Sequence, residues 1–200
     1  MGQRGQCCRF VEYRGENADI PCLDSVEITG GELRRAMGKP MDELARQFFS
    51  MLPEDRQMKV LDKCMQTENE YVAEHGGKLY ENEESVLKVL SEKHRLFIVS
   101  NCQKGYIEAF LQASGFGKFF SGFLCWGDTG VQKSITIRLL MEKHGCTSAA
   151  YVGDTDGDCK APFKAGIPFV HAAYGFGSIF DESLAAALAE SFEQLAEIFA

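Results

Sequence analysis

Three acidic side chains crowd together where an apolar run ends, in the stretch YVGDTDGD. Asp154, Asp156 and Asp158 fall within five residues and alternate with small or polar neighbours. Carboxylates directly behind a buried strand are costly unless they hold a cation or cap a helix. A hard divalent cation such as Mg²⁺ takes one or two carboxylates together with water and phosphate oxygens. The stretch is therefore a candidate for metal-assisted phosphate chemistry.

Two further polar clusters follow apolar runs. Ser100 and Asn101 end LFIVSN, and Lys133 follows FSGFLCW and a glycine-containing loop. A hydroxyl, an amide and an ammonium group are the donors that a phosphoryl group needs.

Each cluster also has an ordinary structural interpretation. Ser100 could be a helix N-cap, and Lys133 could be a solvated surface lysine. The acidic cluster could be an N-cap for the CKAPFKAG helix, with Asp158 in that role. A calcium loop is disfavoured, because its twelfth position holds no Glu and its flanks are strands.

The clusters need elements that place them together, and strands alternate with helices after residues 76–77. The predicted strands are RLFIVSN, FSGFLCW, AAYVGD and IPFVHAAY. The predicted helices are ESVLKVLSEKH, YIEAFLQASGF, KSITIRLLMEKHG, CKAPFKAG and, closing the chain, SLAAALAESFEQLAEIF. This alternation predicts an α/β fold with a Rossmann-like, doubly wound parallel sheet. Ligands of such sheets bind beyond the carboxyl ends of the strands, where the three clusters lie.

The segment before the glycine pair has a helical pattern instead. PMDELARQFFSML and PEDRQMKVLDKCMQTENEYVAEHGG each begin at a proline, and the second ends on glycines. We expect a small helical domain over residues 17–78 and an α/β core over residues 79–200.

The ordered clusters resemble the haloacid dehalogenase-like (HAD) hydrolases, in the phosphatase branch that carries a helical cap. LFIVSN resembles the second motif of that family, which implies phosphate contacts from Ser100 and Asn101. TGVQKS resembles the third motif, with Lys133 orienting the phosphate. VGDTDGD resembles the fourth, with Asp154 as a Mg²⁺ ligand and Asp158 as a second acid. ITGGELRRAMGKPMDELA resembles the cap.

The first motif of that family, D-x-D-G-T, does not occur before the cap. Its first Asp is the nucleophile of the family, and residues 1–30 hold only Asp19 and Asp24, neither in such a pattern. CCRFVEYRGE is the nearest strand-like segment, but Glu12 lies too close to MGKP to leave room for a first cap helix. The DTDGD stretch contains D-x-D-G, but it follows two other clusters and leaves no room for a cap after it. We therefore expect the first core strand to be missing before residue 1, which would leave two neighbouring strands unpaired along their edges.

The composition of the chain limits the classes of partner that it is expected to bind. The chain has 200 residues, a net charge of −8 and no membrane-length apolar run, which argues against nucleic acid and membrane partners. The eight cysteines have no metal-site spacing, so we expect reduced thiols in a cytoplasmic protein.

The resemblance implies a Mg²⁺-dependent phosphatase of a small phosphorylated metabolite, with little turnover in the absence of the nucleophile. Two alternatives stay open. One is a metal-independent haloacid dehalogenase, which the acidic pair disfavours. The other is a non-catalytic regulatory protein that retains a phosphate and Mg²⁺ pocket.

Overall fold

The structure, a computed structural model, describes Glu32, Lys39 and residues 41–200. Most of the expected cap segment before Met41, and the strand-like CCRFVEYRGE, lie outside the described residues. In the described part of the chain, no helix combines the length and the apolar character needed to cross a bilayer.

Two helices precede the α/β part. Helix α1 spans Met41–Phe48 and helix α2 spans Glu54–His75. Each has acidic residues in its first turn, and these stabilise the helix by interacting favourably with its dipole. Helix α2 stops at Gly76, whose φ of 66° suits a residue without a side chain. The two helices share one apolar cluster, formed by Met41, Ala45, Phe49, Leu52, Val60 and Leu61. Both predicted helices are present.

Helices and parallel strands then alternate, as the sequence pattern predicts. The elements are α3 (Glu83–Lys93), β1 (Leu96–Ser100), α4 (Tyr106–Ser114), β2 (Phe120–Cys125), α5 (Trp126–Thr129), α6 (Lys133–Lys143), β3 (Tyr151–Gly153), α7 (Asp156–Ala165), β4 (Phe169–Ala172), β5 (Ala187–Ala189) and α8 (Gln194–Ile198). The protein therefore has the α/β class and the Rossmann-like alternation expected of it.

The strands form two parallel sheets rather than one. Strand β1 pairs with β2, and Ser100 lies opposite Cys125. Strand β4 is the middle of the second sheet, between β3 and β5. Among the described residues, the other edges of β1 and β3 pair with no strand.

One side chain joins these two open edges. The Tyr151 hydroxyl of β3 donates a hydrogen bond to the Val99 carbonyl of β1 over 3.0 Å. We call this contact region the seam between β1 and β3. The absence of a first strand stays a prediction, because it concerns residues outside the described ones.

The prediction of a long closing helix over SLAAALAESFEQLAEIF is wrong. Ala187–Ala189 form strand β5, and only Gln194–Ile198 are α-helical. Backbone hydrogen bonds from Ala186 to Phe169 and from Ala173 to Ala189 fix the strand beside β4. The alanines favour a helix intrinsically, but pairing with an otherwise open edge outweighs that preference.

Candidate phosphate and metal site

Two of the three predicted clusters lie directly at strand ends. Ser100 is the last residue of β1, and Asp154 directly follows the last residue of β3. Ser100 does not cap a helix: α4 begins at Tyr106 with Gly105 before it, and the Ser100 hydroxyl accepts a bond from the Cys102 amide over 3.2 Å. Asn101 is half-buried in the same loop.

Lys133 is the first residue of α6 and is not a solvated surface lysine. Its Nζ lies 2.6 Å from Oδ1 of Asp158, and the two side chains are only 9% and 10% exposed. A buried ion pair of this kind requires good geometry, because both charges lose their water. The structure therefore brings the third and fourth motifs into direct contact.

Asp158 is surrounded by donors. The Tyr151 hydroxyl lies 3.1 Å from Asp158 Oδ1 and shares its one proton between this oxygen and the Val99 carbonyl. The Thr155 hydroxyl donates to Asp158 Oδ2 over 2.7 Å. Burial by itself would raise the pKa of Asp158, but the Lys133 ammonium and these hydrogen bonds hold it below its ordinary value. Asp158 is therefore a carboxylate whose charge is already balanced.

The same residues begin helix α7. Thr155 is its N-cap and accepts from the Asp158 amide, while Asp158 accepts from the Thr155 amide. This reciprocal arrangement is a capping box. Asp158 thus contributes to the helix start as the third residue of the box, and the cap itself is Thr155.

Asp154 faces a glycine-rich turn. The amides of Phe176 and Gly177 donate to its Oδ2 over 2.7 and 2.8 Å. A side-chain carbon at Gly175 would lie 2.3 Å from the Asp154 Cβ, so only glycine fits there. The YGFG stretch after β4 therefore positions this carboxylate through its backbone.

A direct side-chain contact joins two of the three predicted polar clusters. Lys133 contacts Asp158 directly, but among the described residues no hydrogen bond joins Ser100 to Lys133. Sequence reasoning missed Tyr151 and Thr155, which lie in the quoted YVGDTDGD stretch. The signal for Thr155 was available, since Thr followed three residues later by an acid is a capping-box pattern.

The carboxylates present can be compared with the ligands that Mg²⁺ requires. Among the described residues, no three His, Cys, Asp or Glu side chains converge as a cation site. Asp158 already balances Lys133, which leaves Asp154 as the carboxylate with an oxygen to offer. Mg²⁺ usually keeps several waters and takes one or two carboxylates plus substrate phosphate. The residues present fit a partial magnesium site centred on Asp154.

A cleft of about 430 Å³ lies between helix α2 and the ends of β1 and β2. Its lining includes Asn69 and Glu70 of α2, Gln103 and Lys104 of the loop after β1, and Trp126. A larger cavity, about 590 Å³, lies against α3, and neither cavity is lined by any of the predicted site residues. The smaller cleft is the one beside the strand ends.

Comparisons with known proteins agree with this fold. A phosphoglycolate phosphatase from Shigella boydii is 28% identical over 176 residues, which cover 84% of this chain and 68% of that protein. The structure of a "predicted phosphoglycolate phosphatase" from Haemophilus somnus superposes with a TM-score of 0.74 at 19% identity, over 87% of this chain and 84% of the other. YfnB from Bacillus subtilis, solved bound to magnesium, superposes with a TM-score of 0.63 at 21% identity, over 84% of this chain and 78% of the other.

The family assignment rests on the extent of the match. The model of the haloacid dehalogenase-like hydrolases matches residues 22–172, which include Ser100, Lys133, Asp154 and Asp158. The strand ends that carry the second and fourth motifs, and the buried contact between Lys133 and Asp158, are therefore found within a matched family region. The chain belongs to the haloacid dehalogenase-like hydrolase family.

Proposed function

We propose that the protein binds small phosphate monoesters in a Mg²⁺-dependent phosphatase site at the ends of β1 and β3. The observation that carries the proposal is the buried Lys133–Asp158 pair. A lysine held by a carboxylate that follows a strand end is suited to an anion that arrives with a cation.

Each residue has a distinct role in this proposal. Ser100 and Asn101 donate to phosphate oxygens, and Lys133 supplies positive charge. Asp154 holds Mg²⁺, which when bound would neutralise charge on the phosphoryl group. Asp158 keeps Lys133 in place through the ion pair and supports the start of α7.

For the substrate we propose a small phosphorylated carboxylic acid, with 2-phosphoglycolate as the probe. The names of the relatives support this choice. A cleft of about 430 Å³ beside the loop after β1 has room for the rest of such a metabolite. Lys104 on the cleft wall offers a positive charge for the second anionic group of such a molecule.

We further propose that binding exceeds turnover in this chain. The D-x-D-G-T pattern that supplies the family nucleophile does not precede the cap in the sequence. Covalent phosphoryl transfer requires such a nucleophile, whereas binding requires only the phosphate and metal contacts.

The test compares binding with turnover on the same protein. Calorimetric titration with 2-phosphoglycolate and Mg²⁺ should show saturable binding, and Lys133→Met or Asp154→Asn should weaken it by about tenfold or more. Lys143→Met and Glu142→Gln, exposed positions on the same helix as Lys133, are the matched controls and should bind normally.

Phosphate release on the same samples separates the alternatives. Binding without release supports the proposal and favours the regulatory alternative. Mg²⁺-dependent release that is lost in Asp154→Asn would overturn the proposal of weak turnover. Halide release from a haloacid without metal, with no phosphate binding, would overturn the phosphate site altogether.

A further inference from the structure

Two cysteines lie in or beside the loop that carries Ser100 and Asn101. Cys125 ends β2 directly opposite Ser100, and Cys102 lies two residues beyond Ser100. Neither is in a disulfide.

The backbone holds the two residues close. The Gly127 amide donates to the Cys102 carbonyl over 3.1 Å, and Cys125 Sγ lies 3.5 Å from the Gln103 carbonyl oxygen. A side-chain carbon at Gly127 would lie 2.0 Å from the Lys104 nitrogen, so residues 102–104 pack tightly on this turn. A disulfide requires close backbones, and these contacts bring the backbones of Cys102 and Cys125 together.

The same loop fastens helix α2 to the sheet. Gln103 is only 4% exposed, and its amide nitrogen donates to Glu68 and Asn69, each over 3.0 Å. Asn69 in turn donates to the Lys104 carbonyl over 2.9 Å. A covalent change at Cys102 would therefore alter both the loop that carries Ser100 and Asn101 and the contacts of that loop with α2.

The two thiols differ in reactivity. The hydrogen bond from Cys125 lowers the pKa of Cys102. Burial opposes this effect, whereas Ser100 and the Lys133 ammonium add to it. Contact with Cys102, burial and the neighbouring Asp128 carboxylate raise the pKa of Cys125. Cys102 is half-buried whereas Cys125 is buried. A more acidic, more accessible thiol beside a protected one is the usual arrangement of an attacking and a resolving cysteine.

We propose that Cys102 and Cys125 are a redox modification site that forms a disulfide on reaction with a peroxide. The Cys102 thiolate attacks one peroxide oxygen, the O–O bond breaks, and the products are a sulfenic acid and water once protons are balanced. Cys125 sulfur then attacks the Cys102 sulfur and displaces the hydroxyl group as a second water. Two thiols and one hydrogen peroxide thus give one disulfide and two waters.

The disulfide is expected to weaken ligand binding at the strand ends. It removes the Cys125 thiol hydrogen, whose sulfur lies 3.2 Å from Asp128 Oδ2, and it fixes the loop that bears Ser100 and Asn101. This consequence rests on the proposed phosphate site, whereas formation of the disulfide does not.

Peptide mapping tests the bond itself. The protein is treated with hydrogen peroxide, alkylated without reductant and digested with trypsin. Cleavage after lysine and arginine places Cys102 in residues 96–104 and Cys125 in residues 119–133. A cross-link between these two peptides should form at least about tenfold faster than any other cysteine cross-link.

Three variants complete the test. Cys102→Ser should abolish this cross-link, Cys125→Ala should leave a Cys102 sulfenic acid that dimedone traps, and Cys146→Ser is the control that should behave as the parent. Faster cross-linking of other cysteines, or no dimedone adduct in Cys125→Ala, would overturn the site.

Binding of 2-phosphoglycolate with Mg²⁺ is then compared before and after oxidation. A loss of affinity that dithiothreitol reverses supports the proposed effect, and unchanged affinity in the cross-linked protein would overturn it. Absence of binding in the reduced protein would count against the proposed function, while the peptide map would still decide the disulfide.

Discussion

At the scale of single residues, the buried pair of Lys133 and Asp158 is the centre of the proposed site. Its two side chains are nearly inaccessible and lie 2.6 Å apart. Removing one partner from such a pair leaves a buried charge without compensation, which costs more than the pair itself contributes. We therefore expect a variant that loses one partner to be less stable than a variant in which both partners are replaced.

Lys133→Met should lower the free energy of unfolding by about 3–5 kcal/mol, because Asp158 would remain buried and charged. The double variant Lys133→Met with Asp158→Asn should recover a large part of this loss, since Asn carries no charge and still accepts a bond from Thr155. Urea unfolding of the three proteins measures the effect. Lys143→Met, exposed at the other end of α6, is the control. Equal losses in the single and double variants would contradict the argument.

At the scale of elements, strand β5 replaces the first part of the predicted closing helix. Ala189 is completely buried against β4, whereas the Ala186 side chain is exposed. In a helix these two positions, three residues apart, would share a face. Their different burial is therefore a signature of the strand.

Ala189→Leu should lower the free energy of unfolding by about 1–3 kcal/mol through overpacking. Ala186→Leu should change it by less than about 0.5 kcal/mol, because its side chain points to solvent. Thermal or urea unfolding of both variants distinguishes the arrangements. Similar losses at both positions would argue for the helix.

These elements also show which features of the fold the sequence could predict and why it could not predict the others. Continuous apolar runs such as LFIVS indicate buried strands, and polar residues directly after them indicate a site, so Ser100 and Asp154 were accessible to prediction. The Ala187–Ala189 strand was not, because its identity depends on the open edge of β4 and not on local preference. The contact of Lys133 with Asp158 was also inaccessible, since 25 residues separate them and only the fold joins them.

At the scale of the whole molecule, two sheets share one α/β body. Helix α6 packs on β1 and β2 of one sheet and on α7 beside the other. In the described part of the chain, Tyr151 provides the hydrogen bond across the seam between β1 and β3. Burial raises the pKa of Tyr151 well above its ordinary value, so the hydroxyl keeps the proton that it donates.

Tyr151→Phe should therefore loosen the seam between β1 and β3. The variant removes the one hydroxyl proton that the Val99 carbonyl and Asp158 Oδ1 share, which should cost about 1–3 kcal/mol of unfolding free energy. Amide hydrogen exchange should accelerate in β1 and β3 more than in β4. Tyr71→Phe, on the exposed face of α2, should leave both measurements unchanged. Uniform acceleration across all strands would contradict a local seam.

The seam between β1 and β3 also makes the molecule mechanically anisotropic. A ladder of backbone bonds loaded along its strands resists force through many bonds at once, as β1 and β2 do. Across the seam, the described residues supply a tyrosine side chain and helix packing in place of such a ladder. Force applied between the two sheets should therefore rupture the molecule there first, leaving each sheet folded after the sheets have parted.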